Sequence, residues 1–206
     1  FQEGATFNRV KESGRRFGYL PKQSIFGDKG PTVFPDHDLW TLLSYANSEL
    51  FTYLMLTQTT ERMWEVGQVS KVPWRTELEG ISELQQLAKE AVAHLISKRQ
   101  YDFVSPYYNT PVLLDVLGID DSLPQYDHPH RKLHEELDID EPTETVATEA
   151  DLDEIGTAAT KHLEQIEADL QSCADEVDDA VFDCFNITQN QRDTVLQEIA
   201  LRTNKD

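Results

Sequence analysis

One pattern governs the chain from Thr148 to Ala180: Ala159, Leu163, Ile166, Leu170, Cys173, Val177 and Ala180 alternate steps of four and three residues. At 3.6 residues per helical turn such steps keep all seven side chains on one side, whereas a strand would divide them between two faces. The stretch therefore reads as the seam of a helix packing along another helix for about thirty residues. Thr188 and Gln191 then have capping-box spacing, and Val195, Leu196, Ile199 and Ala200 mark a shorter last helix. The chain is expected to end as a helical hairpin, long arm first.

The opposite end follows different rules. Residues 1–34 place Gly4, Gly14, Gly18, Gly27 and Gly30 between short apolar stretches, Phe17–Leu20, Ser24–Phe26 and Thr32–Phe34, which suits short strands joined by tight turns. From Asp38 the period changes: Leu39, Leu43, Ala46, Leu50 and Leu54, preceded by Pro35-Asp36, predict one largely buried helix over about 37–57. Between Trp64 and Pro73 the alternation of Trp64, Val66, Gln68 and Ser70 against Glu65, Gly67, Val69 and Lys71 predicts an extended segment. Trp64 and Trp74 read as core aromatics. Asn47 and Ser48, inside the buried helix, are expected to satisfy neighbouring polar groups. A helix over about 77–99 follows, opened by Thr76 and Glu79 and striped by Ile81, Leu84, Ala88, Ala91 and Leu95. Five prolines and an acidic run around Asp138–Glu144 make 101–148 irregular, with one short helical turn at Leu113–Leu117.

The expected class is α+β: a small mixed strand/helix module over 1–110, an irregular acidic linker over 111–148, and an acidic helical hairpin over 149–206, helix-dominated overall. No apolar run approaches the roughly 18 residues a bilayer span requires, and no signal segment opens the chain, so a soluble cytoplasmic protein without membrane contact is expected. The chain begins at Phe1, as a piece of a longer polypeptide would. Only Cys173 and Cys184 are present, which suits a reduced, buried pair.

Charge adds a constraint on partners. The chain holds 18 Lys+Arg against 38 Asp+Glu, a net of -20. Residues 1–100 are balanced at 12 against 12, while 101–206 carry 6 against 26. Such acidity resembles the surfaces of proteins from salt-loving organisms, where concentrated counterions screen self-repulsion. Against this trend Arg9, Lys11, Arg15, Arg16, Lys22 and Lys29 face only Glu3, Glu12 and Asp28 within 1–31, a local excess of 3 positive charges. These six are the candidate phosphate-binding residues, and pairing with acidic side chains of the same molecule is the alternative.

Catalytic constellations are missing. The sequence has no Gly-x-Gly-x-x-Gly after a strand, no Gly-Lys-Ser/Thr phosphate loop, no His-Glu-x-x-His and no Gly-x-Ser-x-Gly. His128, His130 and His134 are close enough to suggest a metal, but Pro129 interrupts a helical face and no fourth ligand is obvious, so a solvated loop is expected.

The order of several motifs resembles one family. These are Phe17-Gly18-Tyr19-Leu20-Pro21, Ile25-Phe26-Gly27-Asp28-Lys29-Gly30-Pro31, Ala46-Asn47-Ser48-Glu49-Leu50-Phe51, Trp64 through Pro73, and Ser105-Pro106-Tyr107-Tyr108. Near the end, Val177 through Thr188 adds an acidic helix terminus in which Asn186 takes a glycine position suited to left-handed geometry. Together they resemble the region after the catalytic domain in the large adenine-specific DNA methyltransferases of bacteriophage-exclusion and phage-growth-limitation systems and in fused type II restriction-modification enzymes. Ala46 stands where leucine is usual, and Gln68 where aspartate is usual. The likeness covers about 1–110 and 150–203.

What the resemblance implies is a division of labour. The family transfers a methyl group from S-adenosylmethionine to N6 of an adenine flipped out of the duplex. Its Asn-Pro-Pro-Tyr-like tetrapeptide and Gly-rich cofactor loop are absent here, and Asn109-Thr110-Pro111 is no substitute. The chain is thus expected to be a non-catalytic target-recognition and helical region: double-stranded DNA and an upstream catalytic domain are its partners, and S-adenosylmethionine is the cofactor of the parent enzyme only. The alternative is a helical interaction module whose 159–180 seam docks on a catalytic domain or another subunit. A third reading is a stand-alone metalloenzyme built on the His cluster.

Overall fold

The computed structural model describes residues 2–10, 16–59, 63–105, 107–119, 145–147 and 150–203. The fold is α+β and dominated by helix, as the sequence implies. Its described residues divide into two compact units: Phe1–Ala88 with Ala174–Asp206, and Lys89–Cys173. Both boundaries fall inside helices, whereas the sequence suggested divisions near 110 and 148. No described helix is long and apolar enough to cross a membrane.

The first unit is built on strands β1 (Gly4–Phe7), β2 (Phe17–Leu20) and β3 (Thr32–Val33), antiparallel in the order β2-β1-β3. Ala5 pairs with both Tyr19 and Val33. Gly4 is required sterically, because a Cβ there would lie 2.7 Å from the Val33 carbonyl oxygen. Ser24–Phe26, expected as a strand, instead belongs to the loop joining β2 to β3. Phe7 and Phe17 carry the sheet into an aromatic core, their ring centroids 5.0 Å apart. Phe51 lies edge-on to both Phe17 and Tyr45, and Tyr45 stacks on Phe185 at 5.5 Å. Burial raises the Tyr45 phenol above its ordinary range. Its hydroxyl donates to the Pro73 carbonyl at 2.7 Å.

The single helix expected over 37–57 is two: α1 (Leu39–Ala46) and α2 (Glu49–Gln58). Asp38 caps α1 through the Thr41 amide. The break arises because Asn47 turns away from the helical path to pair with β2, accepting from Phe17 N at 3.0 Å and donating to Phe17 O at 3.1 Å. Ser48 then restarts the helix by accepting from Phe51 N. A second acceptor, the carboxylate of buried Asp178, takes the Glu49 amide at 2.6 Å. It meets the positive end of α2, where an anion is favoured. Both polar residues do satisfy neighbouring groups, but in doing so they end one helix and begin another.

Two more elements depart from expectation. The segment read as extended pairs only at its start, where Met63 bridges Val10; beyond it α3 (Val66–Val69) forms one helical turn. Local capping overrides the alternation, since the Gln68 side chain accepts from Glu65 N at 3.0 Å. The helix expected from 77 begins later. Thr76–Gly80 forms a 3-10 turn, Ile81 leaves helical geometry, and α4 runs from Ser82 to Arg99. Trp74 holds that turn: it stacks on His37 at 5.1 Å, and its indole N–H donates to Glu79.

The same unit contains the end of α6 (Leu152–Cys184) and all of α7 (Gln189–Thr203). Asn186 adopts φ +54 between them. The amide of Ile187 reaches back to the Phe182 carbonyl at 3.0 Å, a left-handed stop of the kind glycine usually makes. Gln191 accepts from Thr188 N at 2.9 Å and from the Thr188 hydroxyl at 2.8 Å, which supplies one arm of the expected capping box. α7 lies against α2, and Arg202 donates to the Leu56 carbonyl at 2.6 Å.

The second unit rests on aliphatic residues. Val116, following α5 (Val112–Asp115), packs with Ile155 and Ala159 of α6, and Val146 and Ala150 close around them. Ile155, Ala159, Ile166 and Cys173 are buried in this unit, so its part of the seam is real; Leu163 and Leu170 are half-buried. In α4 the buried positions are Leu84, Leu87 and Ala88 in the first unit and Ala93 and Ser97 in the second, while Leu95 of the expected stripe is exposed. Tyr101 donates to Asp115 at 2.6 Å and lies 2.9 Å from His162 Nε2.

Candidate nucleic-acid interface

The loop between β2 and β3 is short of internal structure but firmly tied. Gln23 takes φ +69, Ser24 N donates to Pro21 O, and Gly30 N donates to Gly27 O. At its base the Thr6 hydroxyl reaches the carbonyls of Gly30 and Pro31 at 3.2 and 3.3 Å, and Phe7 N donates to Pro31 O. A charged clasp holds the same side of the loop, at Asp28. Arg9 donates through Nη1 to Asp28 at 3.1 Å and through Nη2 to both oxygens of Glu65, at 2.6 and 2.7 Å. These bonds raise the Arg9 guanidinium above its ordinary value, Glu65 contributing most. The Trp64 amide donates to Arg9 O at 2.9 Å, so the backbone that carries Glu65 is fixed to the same place.

What this framework presents is apolar at the tip and basic at the flanks. Ile25 is 88% exposed and Phe26 49%. Phe34 supports Phe26 edge-on at 5.6 Å. Lys22 and Lys29 are exposed, each three residues from the pair. A cleft of about 500 Å³ opens between Phe26, Asp28, Arg9, Glu65 and Val66. Glu65 also walls a second cleft of about 510 Å³, whose other side carries Gln58, Thr59 and Gln68.

The six candidate cations therefore separate. Lys22 and Lys29 are available to an approaching anion, and Arg9 serves the clasp. Arg16 is only 8% exposed, with its guanidinium 4.3 Å from the centre of the Trp64 ring. Burial lowers its pKa, and it acts here as a packing residue rather than a surface ligand for phosphate. Lys11 and Arg15 lie outside the described residues, as do His128, His130 and His134. Trp64 is 1% exposed and belongs to the core, as expected of it.

Sequence reasoning missed Ile25, Phe26 and Glu65. Two adjacent large apolar residues between Lys22-Gln23-Ser24 and Gly27-Asp28-Lys29 were assigned to a strand, although flanking by turn residues on both sides also marks a loop tip. No family model matches the chain, and neither the curated proteins nor the solved structures include a match.

Proposed function

We propose that this chain is the non-catalytic target-recognition region of a site-specific adenine-N6 DNA methyltransferase acting in restriction-modification or phage defence. The observation that carries the reading is the clasped β2–β3 loop, with exposed Lys22 and Lys29 on either side of an apolar tip. The motif order described above supplies the enzyme class. Arg9 pairs with both Asp28 and Glu65, one positive charge against two carboxylates, so it weakens but does not cancel the negative charge beside Lys29. Phosphate contacts from Lys22 and Lys29 fix position, while sequence is read separately at base edges in the groove. S-adenosylmethionine and methyl transfer belong to the upstream catalytic domain in this reading.

One observation favours the alternative of a protein-docking module. In the second unit Phe103 and Val104, adjacent in a turn, are 81% and 73% exposed. A recognition region attached to a catalytic domain accommodates both surfaces. The test is duplex-DNA binding by the chain across a salt series, with methyl transfer measured in parallel. Binding that weakens with salt, without turnover, is the expected result. Absence of binding at low salt together with tight association to a methyltransferase catalytic domain would favour the docking module, and turnover by this chain alone would overturn the division of labour.

A further inference from the structure

We propose that Ile25 and Phe26 form a wedge that enters between adjacent base pairs of duplex DNA, while Lys22 and Lys29 hold phosphates beside the opened step. The inference rests on the DNA-binding reading above and adds a mode of engagement to it. Three observations converge.

The first is the exposure of the pair. Large apolar side chains are ordinarily withdrawn from water, and Ile25 at 88% exposure gains nothing from this fold. The second is rigidity. The Thr6 hydroxyl bonds and the Arg9–Asp28 pair hold residues 28–31 on one side of the tip, Ser24 N closes a turn on Pro21 O on the other, and Phe34 meets the Phe26 ring edge-on. A tip that must part stacked bases needs such support, because a flexible one would bend away instead. The third is charge. The first unit carries 12 basic against 19 acidic side chains, net -7, so most of its surface repels a polyanion. The loop, residues 21–31, holds Lys22 and Lys29 against Asp28 alone, a local net of 2 - 1 = +1, with the lysines on both sides of the apolar pair. A protein partner would be served by the apolar pair alone, whereas a phosphate backbone also uses the lysines. Proteins that kink DNA insert apolar side chains of this type between base steps, mostly from the minor groove, where cationic neighbours are also favoured.

The test uses the full chain and a panel of mixed-sequence duplexes carrying the fluorescent adenine analogue 2-aminopurine, whose emission rises when its stacking is broken. Wild-type protein is expected to raise the emission several-fold at a subset of positions. Ile25→Ser with Phe26→Ser is expected to abolish that rise while leaving the slope of log affinity against log salt unchanged. Lys22→Ala with Lys29→Ala should do the reverse: the slope falls by about two units, and the rise persists at saturating protein. Circular dichroism and melting temperature establish that both variants remain folded. DNA binding without a rise at any position, or a rise that survives the Ile25/Phe26 change, overturns the wedge and leaves the DNA-binding reading intact. No binding of any duplex at low salt overturns both. If the Ile25/Phe26 variant instead loses association with a methyltransferase catalytic domain and keeps the fluorescence rise, the tip is a protein-docking element and the wedge is wrong.

Discussion

The two compact units solve the same packing problem with different materials. The first closes around large rings, Phe7, Phe17, Tyr45, Phe51, Trp64 and Phe185, each touching at least one other. The second closes around Val116, Ile155 and Ala159, with Ala93 and Ser97 buried on α4. Their charges differ as well: the first holds 12 basic and 19 acidic side chains, net -7, and the second 6 and 19, net -13. Rings bury much area per residue and lock one another's orientation, so the first unit can hold an exposed loop in a fixed shape. Aliphatic side chains bury less area each than rings, and the heavier negative charge opposes compaction, so the second unit depends more on its solvent.

The sharpest break in that comparison is Trp64→Ala. It empties the centre of the aromatic core and removes the platform beneath Arg16, and a loss of about 3–5 kcal/mol is expected by chemical denaturation. A loss below about 1 kcal/mol would show that the rings are not what holds the first unit together.

Next comes Asp178→Ala, which leaves the Glu49 amide without its carboxylate. A cost of about 1.5–3 kcal/mol is expected, with faster hydrogen exchange at the start of α2. In the second unit the matching polar contact is milder. Tyr101→Phe removes the hydroxyl shared by Asp115 and His162 at a half-buried position, and about 0.5–1.5 kcal/mol is expected. Equal costs for the two changes would erase the contrast between the units.

Salt sharpens the comparison further. Raising KCl to molar levels screens like charge, so hydrogen-exchange protection is expected to rise more in the second unit than in the first. Greater protection at low salt would count against the halophile-like reading of the charge. Lys22→Ala with Lys29→Ala should change stability least, within about 0.5 kcal/mol, because both side chains are exposed.

Elements whose cause is local were legible in the sequence. The long helix α6, the bond from Thr188 N to Gln191 and the left-handed Asn186 each depend on residues within a turn or two, and each stands where the pattern placed it, whereas the last helix lies against α2. The breaks were not legible, because their causes are distant in sequence. Asn47 ends α1 to reach Phe17, thirty residues away, and Asp178 caps α2 from 129 residues away. Alternation at 64–71 misled for the opposite reason: a bond between Glu65 and Gln68 outweighed a period-two pattern that has no pairing strand beyond Met63 among the described residues. In the candidate interface the lysines were visible as excess charge. The separation of Arg9 and Arg16 from them was not, since it depends on where Glu65 and Trp64 fold back to meet the first strand.

The most direct test of the central claim compares the salt dependence of duplex-DNA affinity between wild-type protein and the Lys22→Ala, Lys29→Ala variant. If the clasped loop is the contact, wild type binds at low salt and the variant's slope is shallower by about two units, one for each lysine removed. Identical slopes for the two proteins, or no binding by either, would contradict the account.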